Sequence, residues 1–128
     1  MYKRQHTYRL PTEKEWEYAA GGGENLTYSG SNKIKEVALY KGNSNGTEPV
    51  GSKKANKYGL HDMSGNVAEW CQDSYTEKLS SEIKESKIKV IRGGSYLDRS
   101  KSCRVNSRFY EEASTKNETI GFRLVKIN

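Results

Sequence analysis

The chain has 128 residues and a formal net charge of +6 at neutral pH, from 22 Lys and Arg against 16 Asp and Glu. No apolar run approaches the ~18 residues of a membrane span. The polar opening Met1 to Arg4 leads into no apolar stretch, so no signal peptide is read. Leu, Ile, Val and Phe total 21 residues, but the modest net charge argues against disorder, and 9 Tyr, 2 Trp, 2 Phe and 12 Gly point to one loop-rich domain with a thin core.

The first strong signal follows a polar lead-in, residues 1–9, read as a strand or loop. Thr12 with Glu15 forms a capping box, in which the hydroxyl takes a backbone N–H and the carboxylate reaches back. This predicts a helix over residues 13–20, with acids in its first turn, Trp16, Ala19 and Ala20 on the buried face, and Gly21-Gly22-Gly23 as its stop. Residues 24–58 read as loop, with Val37-Ala38-Leu39-Tyr40 and Pro49-Val50-Gly51 as apolar islets. A dense patch runs from Gly59 to Asp73, and residues 74–87 read as an exposed loop. Lys89 to Arg92 reads as a strand meeting the Gly93-Gly94 turn, and Ser102 to Phe109 as an alternating strand. Gly121 to Ile127 reads as a terminal strand with Phe122, Leu124 and Lys126 on one face. The sum is an irregular α+β domain.

The basic charge is dispersed. Lys53-Lys54 and the Lys84–Lys89 stretch are its densest parts, the latter near Glu82 and Glu85. Nucleic-acid faces gather Lys and Arg on one side, so a nucleic-acid partner is not expected. Cys71 and Cys103 lack CxxC or Cys/His spacing, which argues against structural zinc. His6 and His61 are the only histidines, and His61 reads as a turn residue. The sequons at Asn25, Asn45 and Asn117 read as chance in a loop-rich chain.

Four segments in order carry a family resemblance. They are Tyr8 to Glu13 continuing through Glu15 to Ala20, Tyr58 to Trp70, Arg92 to Tyr96, and Gly121 to Leu124. Over nearly its whole length the chain resembles the formylglycine-generating enzyme, or sulfatase-modifying factor, family. The resemblance implies a C-type lectin-like fold in its formylglycine-generating-enzyme variant. It also implies one domain over 1–128 that lacks the family's usual N-terminal part.

The family's structural calcium site falls on Asp62, Gly65, Val67 and Glu69. Two carboxylates and two backbone carbonyls are hard oxygen donors of the kind calcium takes. The alternative from the residues is that Asp62 caps a turn and Glu69 pairs with Arg92 or Arg123. The family's second calcium site is not carried over, because Ala38 stands at its Asn position and Lys41 to Glu48 lacks Asp.

By the same resemblance the family's enzymes oxidise a substrate cysteine to formylglycine with molecular oxygen, using two cysteines that bind copper(I). Thiolates suit that soft ion. The first catalytic position falls on Asp98, so copper is not expected here. Cys103 matches either the second catalytic cysteine or, through Cys103-Arg104 and Arg108, a later structural one. Cys71 and Cys103 are read as either a disulfide or two inert thiols.

The fold is also reused without catalysis in the variable proteins of diversity-generating retroelements, whose display segment corresponds to Tyr96 to Ile120. Here Tyr96, Asp98, Arg99, Lys101, Asn106, Tyr110 and Glu111 are the candidate ligand-binding residues, with Phe109 and Glu112 beside them. Tyr among short polar groups is good recognition chemistry. The expected function is a non-catalytic module for a protein or small-molecule ligand, stabilised by calcium. The alternatives are an oxidase of the family or a fragment of one, and a structural domain of a larger chain. No residue pattern names a compartment.

Overall fold

In the computed structural model, residues 7–44, 51–75 and 87–127 are described. His6, the sequon at Asn45, Pro49-Val50 and residues 76–86 of the loop predicted over 74–87 lie outside them, while Ser74 at its start is buried at the end of a strand. Among the described residues no helix is long and apolar enough to cross a membrane.

The chain opens with β1 (Thr7–Arg9) and then α1 (Glu13–Gly21). The capping box forms as expected. Glu15 N donates to Thr12 Oγ1 at 3.2 Å, and Thr12 N donates to Glu15 Oε1 at 2.8 Å. Such a cap contributes about 1 kcal/mol. Arg9 adds a paired contact to the Glu15 carboxylate, at 2.5 and 2.7 Å. Its hydrogen bond and the Thr12 N–H hold the Glu15 carboxyl down at about 2. The pair therefore supports the helix above the ordinary carboxylate range, and that support fades as pH falls toward 2. Gly22 closes the helix with φ 61°, its N–H returning to Tyr18 O. Trp16 and Ala20 are buried, as the spacing predicted.

A short helix, α2 (Ile34–Val37), interrupts the expected loop. Val37, Ala38 and Leu39 are buried at its end. One core cluster gathers Trp16, Ala20, Met63, Cys71 and Val90; a second gathers Tyr28, Val37, Ala38 and Cys103.

The main sheet has four strands: β2 (Ala68–Ser74), β3 (Ile88–Arg92), β4 (Arg108–Glu112) and β5 (Ile120–Gly121), in the order β4-β3-β2-β5. β3 runs antiparallel to β2 and β4, while β5 runs parallel to β2. β6 (Val125–Ile127) leaves this sheet and pairs with β1.

Two expected strands are corrected. Ser102 to Phe109 is not one strand: Ser100–Cys103 forms a 3-10 turn, and β4 starts at Arg108. The turn drives Cys103 into the core, where an exposed strand could not hold it. The C-terminal strand breaks between β5 and β6. Arg123 turns in to Glu69, with Nε and Nη2 each 2.7 Å from a carboxylate oxygen. Phe122 and Leu124 on either side are left exposed, at 65% and 52%.

Alternation gives the sheet two different faces. Glu69, Cys71, Val90, Arg92 and Arg108 face α1. Glu13, at the start of α1, receives both arginines: Arg92 Nη1 at 2.7 Å, Arg108 Nε at 2.5 Å and Arg108 Nη2 at 2.8 Å. Arg92 also reaches Glu17 and the Val105 carbonyl, and its guanidinium lies 5.2 Å from the Trp16 ring centroid. The opposite face carries Ala68, Ile91, Phe109 and Ile120.

Candidate functional site

The outer face of the sheet becomes the floor of a cleft of about 380 Å³. Register gives this floor two apolar pairs, offset by two residues along β2: Phe109 opposite Ile91, and Ala68 opposite Ile120. One wall is the turn after β3. Gly93 and Gly94 take φ 98° and 71°, which places Ser95 to Asp98 over the sheet. A Cβ on Gly94 would come 2.8 Å from the Ser102 carbonyl, so only glycine fits this approach. The other wall is Asn117 to Thr119, leading into β5.

Three carboxylates line the cleft: Asp98, Glu111 and Glu118. Asp98 Oδ2 accepts the Ser95 N–H at 2.7 Å while the Asp98 N–H donates to the Ser95 carbonyl at 3.0 Å, and this reciprocal pair fixes the first wall. Glu118 Oε1 accepts the Tyr96 hydroxyl at 3.2 Å, joining the two walls.

The predicted ligand-binding residues divide. Asp98, Tyr110 and Glu111 line the cleft, and Tyr96 braces it through Glu118. The ring of Tyr110 lies on the other face of β4, 4.6 Å from that of Tyr75. Arg99 and Lys101 are exposed around the 3-10 turn. Asn106 lines a separate polar cleft with Asn25, Thr27 and Arg104. Sequence reading missed Asn117, Glu118 and the floor residues Ile91 and Ile120. The alternation of β3 carried a signal for Ile91; nothing local marked Glu118.

Neither thiol reaches the cleft lining. Cys71 and Cys103 are free, buried, and in different core clusters, so they do not pair. Burial pushes the Cys71 thiol well up and that of Cys103 up to about 12. Burial thus favours the thiol at both positions over the thiolate, the form that binds metals and attacks electrophiles.

The predicted calcium residues lie on a tight turn in which Asp62, Gly65 and Asn66 take φ 59°, 78° and 69°. Asp62, Val67 and Glu69 line a second cleft of about 460 Å³ with Asn66, Phe122 and Arg123. Gly65 stays behind it, packed on Leu39. Asp62 Oδ2 accepts the Gly51 N–H at 2.7 Å. Glu69 Oε1 accepts the Trp16 indole N–H at 2.9 Å, and Arg123 grips both its oxygens. Of the two arginines weighed for Glu69, it is Arg123 that pairs; Arg92 goes to Glu13. Among the described residues no group of three or more His, Cys, Asp and Glu is arranged to hold a metal. The donor set is instead two carboxylates with amide and carbonyl oxygens. One of these, Asn66 Oδ1, is buried without a hydrogen-bond partner, in a residue that lines the same cleft. An orphan oxygen beside two carboxylates fits a hard cation.

Residues 1–127 match the family described as sulfatase-modifying factor enzyme 1-like domain. The chain is 36% identical to "Chaperone protein LppX" of Paenibacillus barcinonensis, over 93% of this chain and 49% of that protein. It is 32% identical to the formylglycine-generating enzyme of Mycobacterium tuberculosis, over 97% and 52% respectively. The solved structure of Treponema denticola variable protein 1 superposes with a TM-score of 0.84 at 37% identity, covering 91% of this chain and 46% of that one. The chain thus spans about half the length of these three relatives.

Proposed function

The chain belongs to the sulfatase-modifying factor family and has its α+β, C-type lectin-like fold, and from that membership we propose that it is a non-catalytic ligand-binding module. The observation that carries this reading is the cleft with its apolar floor, lined by Asp98 where the resemblance places a catalytic cysteine, with no thiol in its lining. A carboxylate is a hard ligand and a poor partner for copper(I). The buried, protonated Cys103 does not supply the missing sulfur. The likeness to a variable protein supports the same reading. Asp98, Glu111 and Glu118 are the residues assigned to ligand contact, with Tyr96 as a brace. The test is incubation with copper, oxygen, a reductant and a sulfatase-type cysteine peptide. The peptide mass is expected to stay unchanged, and conversion to the aldehyde above a no-protein control overturns the reading.

We propose in addition that calcium stabilises the turn from Asp62 to Glu69. Asp62, the carbonyls of Gly65 and Val67, and Glu69 would hold it, and Asn66 Oδ1 is the orphan oxygen that supports the assignment. A cation bound only by the folded state raises the melting temperature by mass action, about 2.7 kcal/mol at a hundred times Kd. Melting is expected to be higher in calcium than in chelator, and Asp62→Ala is expected to erase the difference. Identical melting of the wild-type chain under both conditions contradicts the assignment. Glu69→Ala is the poorer variant, because it also strips Trp16 and Arg123 of their acceptor.

A further inference from the structure

We infer that the cleft takes a cation on an apolar stem: an arginine or lysine side chain from an extended segment of a partner protein. The inference rests on the cleft being a ligand site and specifies its occupant. Among the described residues no Lys or Arg lines the cleft, while three carboxylates do. The Glu111 carboxylate makes no hydrogen bond or ion pair with another described residue, its backbone being paired with Lys89 of β3. Lys89, opposite it on β3, donates instead to Ser74 at 3.3 Å. Among the described residues the Glu118 carboxylate accepts only the Tyr96 hydroxyl, and Asp98 spends one oxygen on Ser95.

This arrangement selects a ligand in two ways. Three facing carboxylates repel an anion and attract a cation at short range, against the overall positive charge of the chain. The apolar floor of Ala68, Ile91, Phe109 and Ile120 then rewards a cation with a hydrocarbon stem over a compact, fully hydrated one. Arginine meets both conditions, and its planar fork pairs with carboxylates two bonds at a time. The partner is read as an extended segment because β4, which supplies Phe109 and Glu111, is an edge strand among the described strands of the sheet. Edge strands accept an added strand through main-chain bonds while side chains fill the adjoining pocket.

The probes are the blocked peptide Thr-Leu-Arg-Leu-Thr, the same peptide with citrulline or glutamate in place of arginine, and free agmatine. Binding is read from backbone amide shifts of the folded chain. The arginine peptide is expected to move the amides of Gly94, Glu111, Asn117 and Ile120, and to bind at least tenfold tighter than each of the other probes. Glu111→Gln is expected to weaken the arginine peptide several-fold, and Glu111→Gln with Glu118→Gln at least tenfold, at an unchanged melting temperature. Equal binding of the arginine and citrulline peptides overturns the cationic assignment while leaving the cleft as a ligand site. Equal binding of agmatine overturns the partner-segment assignment. No shift at these amides with any probe overturns both. Aldehyde formation in the peptide assay is the separate result that removes the underlying reading.

Discussion

Glu13→Ala is expected to destabilise the fold by about 3–5 kcal/mol, the range for removing one partner from a buried ion pair. Glu13 is 1% exposed and Arg92 0%. One carboxylate serves two guanidiniums, and it joins the first turn of α1 to β3 and β4 at once. After the substitution Arg92 keeps Glu17 and the Val105 carbonyl, but Arg108 loses the Glu13 carboxylate. The loss of packing is small beside the cost of a buried guanidinium left short of acceptors. Small domains hold only about 5–15 kcal/mol in total, so the change should be plain in urea unfolding as a lower midpoint at unchanged slope. A loss below about 1 kcal/mol would mean that water or another acceptor takes over and that the network does not tie helix to sheet.

Gly65→Ala is the second large effect, expected at about 2–5 kcal/mol. The residue sits at φ 78°, where a side chain costs roughly 1–3 kcal/mol in strain. A Cβ there would also stand 2.4 Å from the Leu39 carbonyl oxygen, which is backbone and accepts the Asn66 N–H at 2.8 Å. Displacing it disturbs the turn that presents Asp62, Asn66 and Glu69 to their cleft. Gly59→Ala separates the two causes. That glycine has φ 82° but nothing within 4 Å of an added Cβ, so it carries strain without a clash. The two substitutions measured by thermal melting should differ clearly, with Gly65→Ala the worse; equal losses would show that the Leu39 approach adds nothing.

What could be read from the sequence was what local chemistry decides. The capping box, the glycine stop and the spacing of Trp16 and Ala20 define α1 without help from distant residues. The β3 strand and its glycine turn were equally plain. The 3-10 turn over Ser100–Cys103 was missed because the pattern from Ser102 to Phe109 alternates on paper, while burial of Cys103 among Tyr28, Val37 and Ala38 is a tertiary event. The C-terminal break was hidden for the same reason: Phe122 and Leu124 look like core residues until Arg123 is seen to turn inward to Glu69, 54 residues away in sequence.

The site was legible in proportion to its locality. Asp98 and Glu111 were found because they fall in the segment that the resemblance marks for display. Glu118 was not, since only the parallel pairing of β5 with β2 brings its loop opposite the Gly94–Asp98 wall. Arg99, Lys101 and Asn106 lie in the same segment yet stand elsewhere, the first two exposed around the 3-10 turn and Asn106 on a separate polar cleft beyond it. Asp62, Val67 and Glu69 were read together and do line one cleft; for Glu69 the sequence offered Arg92 or Arg123, and the fold decides for Arg123 and adds Trp16.

Copper(I) competition tests the non-catalytic reading most directly. The folded chain is titrated against a chromogenic copper(I) chelator under reducing, oxygen-free conditions near neutral pH. With Asp98 in the cleft and Cys103 protonated in the core, the chelator is expected to keep its copper, and Cys103→Ser should behave as the wild type. Withdrawal of one copper equivalent by the wild-type chain, lost in Cys103→Ser, would show a reactive thiolate site and contradict the binding-module reading.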